Sequence, residues 1–456
     1  MNLWPENQKR PGHWVPEARR PAPSRRRPVF ATVAAGAVLA LAAAGCSSSG
    51  SSGSSTSSSA SSQVAASAKQ TIVFATQGLG GEGTATTAAI KAFEKLHPNI
   101  TVQILSLSPT SNVALQQLQQ RFISGSSTPD LITTDVTWPA TFARSGWIAN
   151  LNSFHPNTAT FFPGQIATGE YNGGVYAIPW FINAEGIYYR TDLVKTPPTT
   201  PAQLVSDAQA AVKKDPALKE GLAFEGAEYE GAVTAFQSFG GQIATSQLSN
   251  IDTPANVQAL TFMYDAIHTY KISPLAVTGW EESNVQDAWM SGQAPFALNW
   301  PYIFQLSQAA GTASAAVRNK TGWVPFPNAS GKPQASLGGD DLAVNAKSTH
   351  QAAAYALVQY LTSDSAQITR AINAGDPPSV KSAYTTQLYS AAPYYKQEQA
   401  VYAAATPRPV TPVYPSISSE LQTMISSVLS GQSTPSAALS STGPTVAQLY
   451  QTVSSS

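Results

Sequence analysis

Residues 70–132, QTIVFATQGLGGEGTATTAAIKAFEKLHPNITVQILSLSPTSNVALQQLQQRFISGSSTPDLI, decide the fold of this chain. They contain three apolar, β-branched runs, at 70–76, 99–107 and 129–132, and each run predicts a strand. A helical pattern fills each of the two intervals. Strand–helix–strand–helix–strand is typical of an α/β layer with a mostly parallel sheet. Ligands of such sheets bind beyond the carboxyl ends of the strands, where Asp135 falls.

The two helices are predicted from apolar residues at helical spacing. The first presents Ala89, Phe93 and Leu96 on one face and is stopped by Pro98. The second presents Leu115, Leu118 and Phe122. The glycine loop before the first helix, GLGGEG, lacks the GxGxxG spacing of a dinucleotide site, and no acidic residue ends the second strand. The pattern therefore disfavours a nucleotide cofactor, and we expect no cofactor.

The N-terminus has the organisation of an export signal. Three arginines at 25–27 precede the uncharged apolar run 29–45, which ends at Cys46, the single cysteine of the chain. The junction resembles the lipobox of bacterial lipoproteins, although Ala43 stands where leucine is usual. We therefore predict a signal peptide over 1–45 and lipidation of Cys46. The run of 17 residues is at the lower limit for a spanning helix, so a retained anchor is the alternative. The export route, Sec or twin-arginine, stays open.

The segment that follows is predicted to be a tether. Serine supplies 13 of the 23 residues from 47 to 69, and such a composition cannot bury enough apolar surface to fold. We assign residues 46–69 to the lipidated cysteine and this tether. The predicted location is the outer face of the cell membrane.

Composition excludes several classes of protein. The whole chain is formally neutral, but residues 46–456 hold 19 basic and 24 acidic side chains and carry a net charge of −5. A mildly acidic body without a basic run is a poor binder of nucleic acid. One cysteine forms no internal disulfide, and the five histidines show no metal-binding spacing, so no metal is expected.

Six segments, in register over nearly all of 70–456, resemble the extracellular solute-binding proteins of sugar ABC importers, and the maltose- and trehalose-binding branch is the most similar. They are FEKLHPNITVQIL (93–105), STPDLITTDVTWPATFARSGWIANL (127–151), YNGGVYAIPWFINAEGIYYRTDLV (171–194), MSGQAPFALNWPYIF (290–304), GGDDLAVNAKSTHQAAAYALVQYLTS (338–363) and TPRPVTPVYPSISSELQ (406–422). The last segment is similar to the trehalose-type members in particular.

The resemblance implies a periplasmic-binding-protein-like α/β fold. Two α/β lobes, joined by a hinge that the chain crosses more than once, would enclose a ligand cleft. The implied lobes are 70–180 plus 325–378 and 181–324 plus 379–456. The implied function is capture of a di- or oligosaccharide by cleft closure and its delivery to an ABC permease. The chain would act as a monomer, without catalysis.

A sugar cleft needs aromatic planes for ring faces, and charged or amide groups for hydroxyls. Residues of these types, at strand ends or in the family's ligand-facing segments, are the predicted ligand contacts: Glu82, Asp135, Trp180, Asn183, Tyr229, Glu230, Trp280, Trp300, Tyr302, Gly339, Asp340 and Arg408. Trp138 and Trp289 are expected to be packing residues.

Several predicted contacts have a plainer structural alternative. Asp135 suits a helix cap or turn, and Glu82 suits the first turn of a helix, where its dipole favours a carboxylate. Trp180 suits hinge packing, and Tyr229 and Glu230 suit a solvated loop. Arg408 suits a salt bridge that fastens the C-terminal segment.

One position departs from the family. The glycines at 338 and 339 allow close approach of the backbone to hydroxyls. Trehalose-type members often carry an aromatic residue next, and here Asp340 takes its place. This difference suggests a more polar or differently shaped ligand.

Two alternatives of other kinds remain open. The same fold would serve a polyol or a polyamine, for which extra carboxylates such as Asp340 and Asp341 are suited. An exported glycoside hydrolase would use two carboxylates, for which Asp135 and Glu230 are available. No GxSxG motif indicates a serine hydrolase.

Overall fold

The computed structural model describes residues 68–78, 81–243, 250–327 and 335–454. The predicted signal peptide, Cys46 and nearly all of the predicted tether lie outside these residues. The described strands are β1 Gln70–Thr76, β2 Ile100–Ser106, β3 Leu131–Asp135, β4 Glu170–Tyr171, β5 Gly174–Val175, β6 Ile178–Ala184, β7 Gly186–Arg190, β8 Leu222–Ala223, β9 Phe296–Asn299, β10 Thr321–Val324, β11 Ser336–Val344 and β12 Thr406–Pro407.

Helices connect and cover these strands. They are α1 Glu82–Leu96, α2 Ser111–Ile123, α3 Pro139–Arg144, α4 Pro163–Ile166, α5 Pro201–Lys214, α6 Glu230–Ser238, α7 Pro254–His268, α8 Glu282–Met290, α9 Tyr302–Gln308, α10 Gln351–Leu361, α11 Asp364–Ala374, α12 Thr386–Ala391, α13 Tyr395–Ala404, α14 Tyr414–Leu429 and α15 Pro435–Ser454. Alternation of strand and helix at the start of the chain follows the predicted order.

The first sheet is built around β1, β2 and β3. These three strands are parallel, in the order β2-β1-β3, as the sequence predicts. Strand β11 runs antiparallel to β3 on one side and to β6 on the other, and its first two residues pair with β12. Phe74 of β1 and Phe93 of α1 are fully buried in the core of this sheet. Leu96, predicted on the buried face of α1, is 67% exposed, because the helix ends at this residue and no element covers it.

A second sheet has four strands in the order β10-β7-β9-β8. Its core is a separate apolar cluster that includes residues of α5, α6, α7 and α14. The chain leaves the first sheet at the end of β6 and enters the second at β7, with Glu185 between them. It returns when β10 of the second sheet is followed by β11 of the first. The fold is therefore α/β with two sheets that the chain connects more than once.

The exact division into lobes stays a prediction. Residues 181–184, placed in the second lobe by the predicted boundary, continue β6 and pair with β11 of the first sheet. Residues 406–407 also pair with β11. Farther along, α14 packs on α6 and α7 with the second core.

Candidate functional site

A cleft lies between residues of the two sheets. Its empty volume is about 950 Å³, including the part that is open to solvent. Ten of the twelve predicted ligand contacts line it, and these are Glu82, Asp135, Asn183, Tyr229, Glu230, Trp300, Tyr302, Gly339, Asp340 and Arg408. Side chains that are up to 273 positions apart in the sequence meet here.

Helix starts bring acidic side chains to the cleft. Glu82, Glu230 and Glu282 are the first residues of α1, α6 and α8, and all three line the cleft. The N-terminus of a helix carries partial positive charge, which favours a carboxylate at this position. Glu82 is therefore both a first-turn carboxylate, which was its plainer alternative, and a lining residue of the cleft.

Arg408 joins two of the acidic residues. Its Nη2 lies 3.0 Å from Oδ2 of Asp135, and its Nη1 lies 2.5 Å from Oε1 of Glu230. The arginine is 3% exposed. Tyr414 donates a hydrogen bond of 2.5 Å to Oε1 of Glu230, and Ser418 donates to Oε2. Arg408 therefore lines the cleft and also forms the salt bridge that was its structural alternative.

Trp300 supplies the aromatic surface of the cleft. It follows β9 directly, and its indole ring lies against the backbone at Gly338. A Cβ added at Gly338 would come within 2.6 Å of the Trp300 ring. Gly339 has φ of +106°, and a Cβ there would lie 2.2 Å from the carbonyl oxygen of Phe181. Both glycines are required by the close approach of other protein atoms. The predicted approach of their backbone to ligand hydroxyls stays a prediction.

The cleft is rich in carboxyl groups with raised pKa values. Removal from water raises the pKa of Glu282 to about 7. It also raises the pKa of Glu225 well above the usual range, and the nearby charge of Glu282 adds to this effect. Burial, followed by repulsion from Asp135, has the same effect on the pKa of Asp340. Each raised pKa favours the protonated form of its carboxyl group over the charged form in the unliganded cleft.

Two buried acceptors in the lining have no hydrogen-bond partner within the described part of the chain. They are Oε1 of Glu225 and Oδ1 of Asn183, whose residues are 2% and 8% exposed. Buried polar atoms are nearly always hydrogen-bonded in folded proteins. Both oxygens are therefore left without a hydrogen-bond partner in the described lining of the cleft.

Two predicted contacts are not brought to the cleft. Trp180 is 2% exposed, and its ring centroid lies 5.8 Å from that of Phe74. Cζ of Arg370 lies 3.9 Å from the centroid of the Trp180 ring. Residues 181 and 183 of the same strand line the cleft, and successive side chains of a strand point to opposite faces. Asn183 and Trp180 therefore lie on opposite faces of β6, which corrects the expectation that both face the ligand.

Trp280 packs away from the cleft as well. It is half-buried against the core of the second sheet, and its backbone carbonyl accepts hydrogen bonds from Gly226 and Ala227. The adjacent residues Glu281 and Glu282 line the cleft in its place.

Several residues that line the cleft were not among the contacts predicted from the sequence. Glu225 lies in the acidic loop FEGAEYEG, from which only Tyr229 and Glu230 were selected. The signal was present, because three carboxylates within an otherwise apolar loop are unusual. Nothing in the sequence around Thr110 indicates that it lines the cleft. Its position there depends on a hydrogen bond of 2.8 Å from its hydroxyl to Oε2 of Glu281, 171 positions away. Trp138 and Trp289 are buried, as expected.

No cluster of His, Cys, Asp or Glu suited to a metal ion occurs in residues 68–78, 81–243, 250–327 and 335–454. In the same ranges, no helix combines the length and the apolar character needed to cross a membrane.

The sequence model of the bacterial extracellular solute-binding proteins matches residues 77–368 of this chain. The chain belongs to this family. The solute-binding protein is also 31% identical over 390 residues to a "Probable ABC transporter-binding protein" of Deinococcus radiodurans, a match that covers 81% of this chain and 91% of the relative. Membership of an extracellular family implies that the protein is exported.

Solved structures agree with this assignment. Maltose-bound MalE3 of T. maritima superposes on the solute-binding protein with a TM-score of 0.77 at 30% identity, over 83% of this chain and 99% of that chain. A solute-binding protein of Thermotoga lettingae, bound with α-D-tagatose, gives a TM-score of 0.76 at 24% identity, over 84% and 100% of the two chains. At that lower identity the likeness concerns the fold, which confirms the predicted two-lobed α/β class.

Proposed function

We propose that this protein is the sugar-binding component of an ABC importer, and that it captures a di- or oligosaccharide of the trehalose or maltose type. The observation that carries the proposal is the half-buried ring of Trp300, which lines one cleft together with carboxyl and amide groups. An aromatic plane packs against the C–H face of a sugar ring, while oxygen acceptors bind its hydroxyls. The names of two relatives support it, an ABC transporter-binding protein and a maltose-bound structure.

Capture is proposed to work by closure of the cleft. Contacts cross between distant parts of the chain at its rim, where Thr110 donates to Glu281 and Asn112 donates at 3.1 Å to Gln422. A ligand that contacts both sides favours the closed arrangement over the open one. The closed form is then the one that a permease would recognise, and no bond is broken.

Isothermal titration of the purified protein tests the sugar assignment. The panel contains trehalose, maltose, sucrose and longer glucans, together with a polyol and spermidine for the alternative ligand classes. Micromolar or tighter binding to a saccharide supports the proposal. A protein that is folded, ignores every saccharide and binds the polyol or spermidine would contradict it.

The hydrolase alternative is disfavoured by the arrangement of its two carboxylates. Asp135 and Glu230 share the Arg408 guanidinium, instead of facing each other across a free gap. Membership of a solute-binding family also supports a role without catalysis. Steady release of reducing sugar from any disaccharide of the panel would restore this alternative.

Substitution of Trp300 by alanine is expected to weaken sugar binding by ~1–3 kcal/mol, because the stacking surface is lost. The measurement is the dissociation constant by titration calorimetry. Trp280→Phe is the matched control, since Trp280 lies outside the cleft. Equal affinity of the Trp300→Ala variant and the wild type would remove this residue from the site.

Anchoring at Cys46 is also part of the proposal, together with signal cleavage before it and a monomeric state. A Cys46→Ala variant is expected to leave the membrane fraction, because the lipid that holds the protein can no longer be attached. Fractionation followed by immunoblotting measures this, with Ser47→Ala as the control. A Cys46→Ala protein that stays with the membrane would contradict lipidation.

A further inference from the structure

The charge of the cleft is strongly one-sided. Seven carboxyl groups line it, namely Glu82, Asp135, Glu225, Glu230, Glu281, Glu282 and Asp340. Among the described residues the only basic side chain in the lining is Arg408, and it is already shared by Asp135 and Glu230. The described lining therefore holds seven carboxyl groups for one basic side chain.

A second arginine, Arg370, also already has an acidic partner. Arg370 lies behind the cleft, 2.8 Å from Asp376, and its guanidinium covers the Trp180 ring. Asp376 is itself buried and pairs with this guanidinium, although Arg370 still acts to lower the pKa of Asp340. Glu225 lies near Glu282, whose charge raises its pKa, and the one basic side chain of the described lining, Arg408, pairs with Asp135 and Glu230 instead.

The unpaired atoms show which kind of group is missing. Oε1 of Glu225 and Oδ1 of Asn183 are both acceptors, both more than nine-tenths buried, and both belong to residues of the lining. Asn183 Oδ1 and an ionised Glu225 need donors, whereas the buried Nε of Arg408 in the same lining also has no partner and needs an acceptor, which a sugar hydroxyl supplies. An ammonium group brings three N–H donors and one positive charge, so it meets the need of the orphan oxygens and of the carboxylates together.

The acidity of the lining groups agrees with this chemistry. The pKa values of Glu225, Glu282 and Asp340 are all raised, mainly by removal from water. A bound cation would favour the ionised forms and displace their protons. A neutral sugar would leave those protons in place.

We propose that the saccharide taken by this cleft carries a basic amine, and that the amine binds as its ammonium beside Glu225 and Glu282. This inference rests on the proposed function and deepens it from a sugar to an amino sugar. The Trp300 plane favours a ring-bearing amine over a linear polyamine, because a ring packs on the indole face while the ammonium reaches the carboxylates.

Matched pairs of ligands test the inference on the wild-type protein. Each pair has the same linkage and differs only in amine against hydroxyl: trehalosamine with trehalose, maltosamine with maltose, and the β-1,4-linked glucosamine dimer with cellobiose. We expect at least one amino sugar to bind ~10-fold or more tightly than its neutral partner, with release of protons on binding. Proton release is measured by calorimetry in buffers of different ionisation enthalpy.

The other outcomes are separable. A neutral member that binds as tightly as its amine, or more tightly, overturns the amino-sugar inference and leaves the proposed sugar-binding function standing. Spermidine binding without any saccharide overturns the inference and the proposed function. A folded protein that binds no member of any pair overturns both as well.

Variants locate the ammonium. Glu225→Gln and Glu282→Gln keep the side-chain shape and remove charge, so each is expected to weaken the amino sugar ~10-fold and the neutral partner less than ~3-fold. Glu170→Gln, at an exposed acidic position outside the cleft, is the control. Equal losses for both members of a pair in both variants would contradict the assigned position of the amine.

Discussion

Replacement of Arg408 by methionine is expected to lower the free energy of unfolding by about 3–5 kcal/mol, which is the usual cost of removing one partner of a buried ion pair. Methionine keeps much of the volume of the arginine. It leaves the Asp135 and Glu230 carboxylates without their shared cation, although Glu230 keeps its hydrogen bonds from Tyr414 and Ser418.

Urea unfolding followed by circular dichroism measures the loss. Arg121→Met is the control, because Arg121 is an exposed arginine of α2. Arg408→Lys should fall between the two, since a lysine keeps the charge but not the two-pronged geometry. Adding Glu230→Gln to Arg408→Met should restore part of the stability, because one unpaired charge is removed. A loss below about 1 kcal/mol would show that the triad is not a structural anchor.

The second large effect is a fall in stability as the pH rises. Burial raises the pKa of Glu398 to about 8 and that of Glu185 to about 8. Between the ordinary glutamate value of 4.5 and these raised values, the folded protein holds protons that the unfolded chain does not. The free energy of unfolding therefore falls with rising pH, by about 1.4 kcal/mol per pH unit for each group, and the slope ends above the folded pKa.

Unfolding curves at pH 5, 6, 7 and 8 measure this slope. Glu398 is the group to substitute, because it lies outside the cleft, is 1% exposed and accepts a hydrogen bond from Tyr402. Glu398→Gln imitates the protonated form and is expected to remove up to about 4 kcal/mol of the fall between pH 5 and pH 8. Glu170→Gln should leave the slope unchanged. A Glu398→Gln protein with the wild-type slope would assign the dependence to other groups.

Much of the first sheet was predictable, because local signals agreed. The runs at 70–76 and 99–107 became β1 and β2, and Phe93, Leu118 and Phe122 became buried helix residues. The prediction that Leu96 is buried was wrong, because its exposure depends on what packs beyond the end of the helix. Periodicity within one segment contains no information about that neighbour.

The site was predicted in composition better than in geometry. Residue type and position at an element's end were sufficient to select Asp135, Trp300 and Gly339, and all three line the cleft. Trp180 was misplaced although strand alternation alone separates it from Asn183. The joint pairing of Arg408 with Glu230 and Asp135 could not be predicted from the sequence, because these partners are 178 and 273 positions away. Distances of that kind are fixed by the tertiary fold.

Two consecutive aspartates of strand β11 lie on opposite faces of the sheet and have different roles. Asp340 lines the cleft, whereas Asp341 is fully buried on the other face, where its oxygens accept from Gln165 and Thr168. The register against β6 shifts between these two residues, since Asp340 pairs with Phe181 and Asp341 pairs with Pro179, which leaves Trp180 as the extra residue of β6. Insertion of a single residue here would exchange the two roles. Substitution at position 340, in contrast, would change the chemistry of the cleft lining while Asp341 keeps its hydrogen bonds on the other face.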